Sequence, residues 1–177
     1  FDSVWVSDHI ILPRQIDSFY PYAPDGVPTF RPDEPYYEPL AALNFLAGCT
    51  QQVRLGTHVL ILPYRNPVLT AKILSTLDVL SEGRVILGAG VGWCEEEFQA
   101  LGLNTYKDRG AVTDEYIQLF KELWTKDNPE FHGKYYQLSG SGFQPKPVQK
   151  PHPPIWIGGH TGPAIHRAAK YGDGWMP

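Results

Sequence analysis

Three short segments carry residue types suited to chemistry. Ser7-Asp8-His9 closes a hydrophobic run at the start of the chain. An imidazole beside a carboxylate can bind a polar ring and move a proton, because imidazole titrates near neutrality. The same pair could instead cap a turn and leave a histidine on the surface. Gly88-Ala89-Gly90-Val91-Gly92-Trp93 is glycine-rich and leads into Glu95-Glu96-Glu97. It lacks the glycine spacing of a dinucleotide fingerprint, and three carboxylates at a helix start repel a pyrophosphate. It suits instead a backbone that passes close to a flat ring. Gly158-Gly159-His160-Thr161-Gly162-Pro163 precedes a helical stretch without an intervening carboxylate. Unpaired N–H groups and the positive end of a helix make this the better phosphate site, with a plain strand-to-helix turn as the alternative.

These segments need elements to hold them. Asp2 to Val6, Val53 to Leu60, Arg84 to Ala89, Pro154 to Gly158 and Gly174 to Met176 read as strands, several of them near-continuous apolar runs of the kind buried on both faces. Helical patterns separate them. Leu40, Leu43 and Ala47 recur at helical spacing. Asn66-Pro67 is a helix start, followed by a stripe of Leu69, Ile73, Leu77 and Leu80 and a stop at Gly83. Val112, Tyr116, Leu119, Phe120 and Leu123 mark a third helix. A last one opens at Gly162-Pro163, with Ile165, Ala168 and Ala169 expected to face inward. Most of the 17 prolines fall in Pro13–Pro39 and Pro145–Pro154, which read as loops. Tyr20, Tyr22, Tyr135 and Tyr136 in the long excursions could contact a substrate or pack the loops.

Alternating strands and helices give a parallel sheet with right-handed crossovers, either doubly wound or part of a (β/α)8 barrel. In both, ligands collect at the carboxyl ends of the strands. The chain opens and closes on strand-like runs, so it is expected to be a piece of a longer protein.

Composition narrows the classes. The 177 residues are 42% hydrophobic and 19% charged, with a net charge of −4, which argues against disorder and offers nucleic acid or an anionic membrane no basic cluster. No apolar stretch approaches a membrane span. Cys49 and Cys94 cannot build a disulfide framework, so a cytoplasmic setting is expected. His132, His152, His160 and His166 show no metal-ligand spacing, and no metal is expected.

Taken in order, these segments resemble the luciferase-like monooxygenase superfamily, most closely its coenzyme F420-dependent branch. The resemblance runs through Ser7-Asp8-His9, Leu55-Gly56-Thr57 to Arg65-Asn66-Pro67-Val68, Thr76 to Arg84, Gly88 to Phe98, and Ile157-Gly158-Gly159 to Trp175. It implies a partial (β/α)8 TIM barrel, strands two to six of eight, in one incomplete domain over 1–177 with insertions at about 13–36 and 128–154. It implies an oxidoreductase exchanging hydride between deazaflavin F420 and an organic substrate, with an FMN-dependent monooxygenase or a non-catalytic relative as alternatives. By position, His9 would be the acid/base and Asp8 would lie beside the ring. A non-prolyl cis bond at His58–Val59 would back the ring, and Gly90 and Gly92 would line its other side. Gly159, Thr161 and Gly162 would hold the phosphate. The resemblance also implies a homodimer through helices 37–49 and 67–80.

Overall fold

The computed structural model describes residues 1–177. Its elements run β1 (Ser3–Val6), α1 (Pro39–Cys49), β2 (Arg54–Thr57), β3 (Leu60–Ile61), α2 (Pro67–Leu80), β4 (Val85–Gly90), α3 (Glu95–Ala100), α4 (Arg109–Thr125), β5 (Phe131–His132), β6 (Gln137–Leu138), β7 (Ile155–Gly158), α5 (Gly162–Tyr171) and β8 (Gly174–Met176). The strands lie side by side in the order β1-β2-β4-β7-β8, every pairing parallel, and β3 pairs with β4 one step further along. This is the α/β arrangement the alternation predicts. β5 and β6 form a separate antiparallel hairpin inside the region expected to be loop.

The single strand expected over 53–60 is two short ones, divided by a non-prolyl cis peptide at His58–Val59. Alternate residues of the sheet, Leu55, Val85, Leu87, Ala89, Ile155 and Ile157, point toward the helices. There they join Leu40 and Leu43 of α1, Leu74 and Leu77 of α2, and Ile117, Phe120 and Trp124 of α4 in one core. On the opposite face Trp5 and Trp156 pack with ring centroids 5.5 Å apart.

Helix starts follow the local signals. The Asn66 side chain accepts from the Leu69 N–H, with Pro67 in the first turn, and Glu38 caps Ala41 N–H in the same way ahead of Pro39. The faces of two helices differ from expectation. Of the α2 stripe only Leu77 is buried, and Leu69 and Leu80 are 58% and 65% exposed. Thr70, Ala71, Leu74, Ser75 and Asp78 face the core instead. Their polar groups are satisfied there: Thr70 donates to Asn66 O, Ser75 to Lys72 O, and Asp78 accepts from Gln149. In α5, Ala164 and Arg167 are the buried residues, while Ile165 and Ala169 are exposed. Arg167 tolerates burial because its guanidinium pairs with Asp114 and donates to Gly110 O.

At the amino end of β4, Arg84 uses all five of its donors. Nε reaches Ser81 O; the two terminal nitrogens reach Thr50 Oγ1, Val53 O, Ala47 O and Thr50 O, all between 2.7 and 3.1 Å. One side chain thus satisfies the carbonyls that the ends of α1 and α2 leave unpaired. No helix is long and apolar enough to cross a membrane.

Candidate functional site

The carboxyl ends of β1, β3, β4, β7 and β8 converge on a cavity of about 860 Å³. A second hollow of about 640 Å³ lies away from the strand ends, between α4 and the β5–β6 hairpin. Tyr135 belongs to that hollow, whereas Tyr20 and Tyr22 reach the strand-end cavity. His58 and Val59 line the cavity. A Cβ on Gly90 would fall 2.3 Å from Val59, and one on Gly158 would fall 2.5 Å away. The two missing side chains clear the seat in which Val59 rests. Gly90 therefore serves the bulge as well as the cavity wall, and Gly92, which also lines the wall, accepts from Arg109 Nε through its carbonyl.

His9 sits at the cavity with its Nδ1 2.9 Å from Glu97 Oε2. Glu97 has no exposed surface, and it also accepts from the Ile10 N–H at 2.7 Å, the Ile11 N–H at 3.3 Å and the Tyr64 hydroxyl at 3.1 Å. Every partner of this carboxylate is a donor. His9 must then present Nδ1–H to Glu97, so that in the neutral ring Nε2 is the acceptor. Burial and the adjacent Glu97 charge push the Tyr64 hydroxyl far above the ordinary phenol range, so it remains a donor.

Asp8 and His9 are neighbours in sequence but not in role. The Asp8 carboxylate has no accessible surface. It accepts a bidentate pair from Arg65 at 2.6 and 2.8 Å, and the Ile61 N–H at 2.8 Å. Burial acts to raise its titration, against the hydrogen bonds and charge of Arg65. Asp8 lines the cavity, and its carboxylate oxygens are engaged by Arg65 and the Ile61 N–H, a structural tie from β1 to β3. Arg65 also reaches Glu38 at 3.0 Å.

At the far end of the cavity, Gly159 has φ of +108°, and a Cβ there would lie 3.2 Å from Ala164. Thr161 is the N-cap of α5, but its side chain makes no capping bond, and both it and Gly159 line the cavity. Gly162 lies just outside the lining, exposed at the rim. The first-turn N–H groups of α5, the free hydroxyl and the glycine fit an anionic tail.

Residues 7–38 contain no helix or strand and fold over His9. The acidic run missed as a functional element holds this loop. Glu96 accepts the Asp17 and Ser18 N–H groups at 2.8 and 3.0 Å, while Glu95 N–H donates to Ser18 Oγ. Burial acts to raise the Glu96 carboxyl, but hydrogen bonds from Ser18, its own backbone and Asp17 outweigh it and bring it to about 2. Its depressed titration keeps this anchor charged down to that pH. Cys94 is no nucleophile: burial pushes its thiol up to about 12. No group of three or more His, Cys, Asp or Glu side chains is placed to hold a metal.

Glu97 is the residue that sequence reading passes over. In a run of three carboxylates only the phase of α3 against β4 decides which one turns inward, and here it is Glu97 with Phe98.

The model of the luciferase-like monooxygenase family matches residues 1–177. The chain is 37% identical over 176 residues to an uncharacterized protein of Mycobacterium tuberculosis, covering 99% of this chain and 60% of that protein. It is 36% identical over 179 residues to the F420-dependent glucose-6-phosphate dehydrogenase of Amycolatopsis mediterranei, covering 99% of this chain and 48% of that one. An FMNH(2)-dependent dimethylsulfone monooxygenase of Pseudomonas putida is 32% identical over 139 residues, 77% of this chain and 38% of that one. The structure of an F420-dependent secondary alcohol dehydrogenase in complex with an F420-acetone adduct superposes with a TM-score of 0.76 at 26% identity, covering 99% of this chain and 49% of that one. The chain thus spans about half to three fifths of these longer relatives, apart from the shorter monooxygenase match.

Proposed function

Because this chain belongs to the luciferase-like monooxygenase family, we propose that it is the cofactor-binding part of an oxidoreductase that uses coenzyme F420. On this reading its strands are the second to sixth of an eight-stranded barrel. The observation that carries the chemistry is the buried Glu97 that holds Nδ1 of His9, a residue of the cavity wall, and leaves Nε2 for a substrate. The identity to an F420-dependent dehydrogenase supports the cofactor.

When bound, a deazaflavin supplies a ring carbon that accepts or donates hydride. Val59 and the His58–Val59 backbone would form a floor for the ring, and Gly90 and Gly92, which line the same cavity, would leave room for it. Gly159, Thr161 and the start of α5 would hold the tail phosphate. His9 Nε2 takes the proton from a substrate hydroxyl as the substrate is oxidised, and returns it when a carbonyl is reduced. Glu97 stabilises the imidazolium that forms in between, and Tyr64 keeps that carboxylate oriented.

The similarity to an FMNH(2)-dependent monooxygenase supports a second reading, in which reduced FMN activates oxygen and a separate reductase supplies electrons. Titration of the full chain with each cofactor, followed by cofactor fluorescence, separates them. F420 is expected to bind at least tenfold tighter than FMN. The reverse order transfers the assignment to FMN, and binding without turnover of any alcohol or carbonyl substrate marks a non-catalytic relative.

The outward faces of α1 and α2 support a homodimer. Phe45 is 71% exposed, and Leu69 and Leu80 stand out on the neighbouring helix. These are exposed apolar side chains at positions where the amphipathic rule predicts polar ones. Sedimentation is expected to give a dimer for the full chain and a monomer for a Phe45→Glu, Leu69→Glu variant. A monomeric unmodified protein would rule the dimer out.

A further inference from the structure

The aromatic loop over His9 does more than cover it. Phe30 and Tyr36 lie 5.1 and 5.2 Å from the His9 ring, centroid to centroid, and Trp93 lies 6.3 Å away. Tyr20 backs this group at 5.0 Å from Trp93 and 5.1 Å from Phe30. Glu96 and Glu97 fasten the loop's backbone at residues 10, 11, 17 and 18, so the rings are held against His9 by the same helix that orients it. Burial pushes the Tyr20 and Tyr36 hydroxyls above the ordinary phenol range.

Both arginines that line the cavity are engaged by the protein itself. Arg167 pairs with Asp114 and Gly110 O, and Arg109 donates to Gly92 O and Tyr106 O while lying over the Tyr106 ring. The part of the cavity suited to an anion is the start of α5. The His9 end is ringed by aromatic faces, which favour flat apolar groups and resist an unpaired anion.

We propose that Phe30, Tyr36 and Trp93 form a cage selecting an uncharged aromatic substrate, its ring among theirs and its hydroxyl or carbonyl directed at His9. The part played by His9 rests on the F420 reading above; recognition by the cage does not require the cofactor.

The test is calorimetric titration of the cofactor-free full chain with 2-naphthalenemethanol, 2-naphthoate and glucose 6-phosphate. The neutral naphthyl alcohol is expected to bind at least tenfold tighter than either anion. Phe30→Leu and Tyr36→Leu, which keep apolar bulk but remove the ring, are each expected to weaken it about fivefold with unchanged melting temperature and unchanged F420 affinity. Equal or tighter binding of naphthoate, or no binding of the alcohol, overturns the proposal. So does unaltered affinity in both folded variants; should either variant fail to fold, the charge comparison on the unmodified chain decides alone. F420 binding without naphthyl binding defeats the cage and leaves the cofactor reading intact. Naphthyl binding that depends on Phe30, without F420 binding, does the opposite.

Discussion

Glu97→Gln is expected to reduce kcat by roughly 10²–10⁴, the range that loss of a positioned acid/base brings, with F420 affinity nearly unchanged. The reason lies in which oxygen meets which donor. Oε1 accepts from the Ile10 and Ile11 N–H groups, so a glutamine must keep its carbonyl there. Its amide NH2 then replaces Oε2, opposite His9 Nδ1 and the Tyr64 hydroxyl. Facing a donor, His9 must turn Nδ1 into an acceptor and place its proton on Nε2. The nitrogen at the cavity is then protonated when it should be free, and the imidazolium loses its counter-charge. His9→Ala should fall to a similar rate, and added imidazole should restore part of it. The same imidazole should do nothing for Glu97→Gln, where the ring is present in the wrong tautomer. Steady-state rates of cofactor reduction under saturating substrate check both; a loss smaller than tenfold in either variant removes His9 from its assigned role.

The largest effect on stability is expected at Arg84. Arg84→Ala removes five hydrogen bonds at once and strands the carbonyls of Ala47, Thr50 and Ser81 at two helix ends. Charged donors contribute about 1.5–3 kcal/mol each, but the five share partners and water reaches this partly buried group, so the sum is far from additive. A loss of about 3 kcal/mol is the expected net value. In a chain of this size that lowers Tm by roughly 6–12 °C. Arg84→Lys should recover less than half, because one nitrogen with three donors cannot span carbonyls from three segments. Thermal melts of the three proteins measure this, and a shift below about 2 °C for Arg84→Ala would show that solvent replaces the guanidinium freely.

Both residues act at the same strand from opposite ends. Arg84 fixes the amino end of β4 to the helices, and the chain leaving its carboxyl end carries Trp93 to the aromatic cage and Glu97 to His9. A rigid strand between the two lets a helix at the back of the sheet and a proton-handling pair at the front share one frame.

What the sequence by itself determined were features written by neighbours along the chain. Apolar runs placed the strands, and Asn66-Pro67 and Gly162-Pro163 placed two helix starts, because caps and φ restraints act within a turn. That a cavity lies at the carboxyl ends of the strands followed from the parallel order. The tertiary structure alone decided which acid serves His9, since Glu97 is 88 residues away and looks in sequence like its two neighbours. It also decided that Asp8 turns to Arg65, that α2 buries satisfied polar groups and shows Leu69 and Leu80 outside, and that the proline-rich loop brings Phe30 and Tyr36 to the histidine. A carboxylate solvating a helix start and one gripping a ring have the same local pattern; only the partner's position, set by packing across the whole sheet, tells them apart.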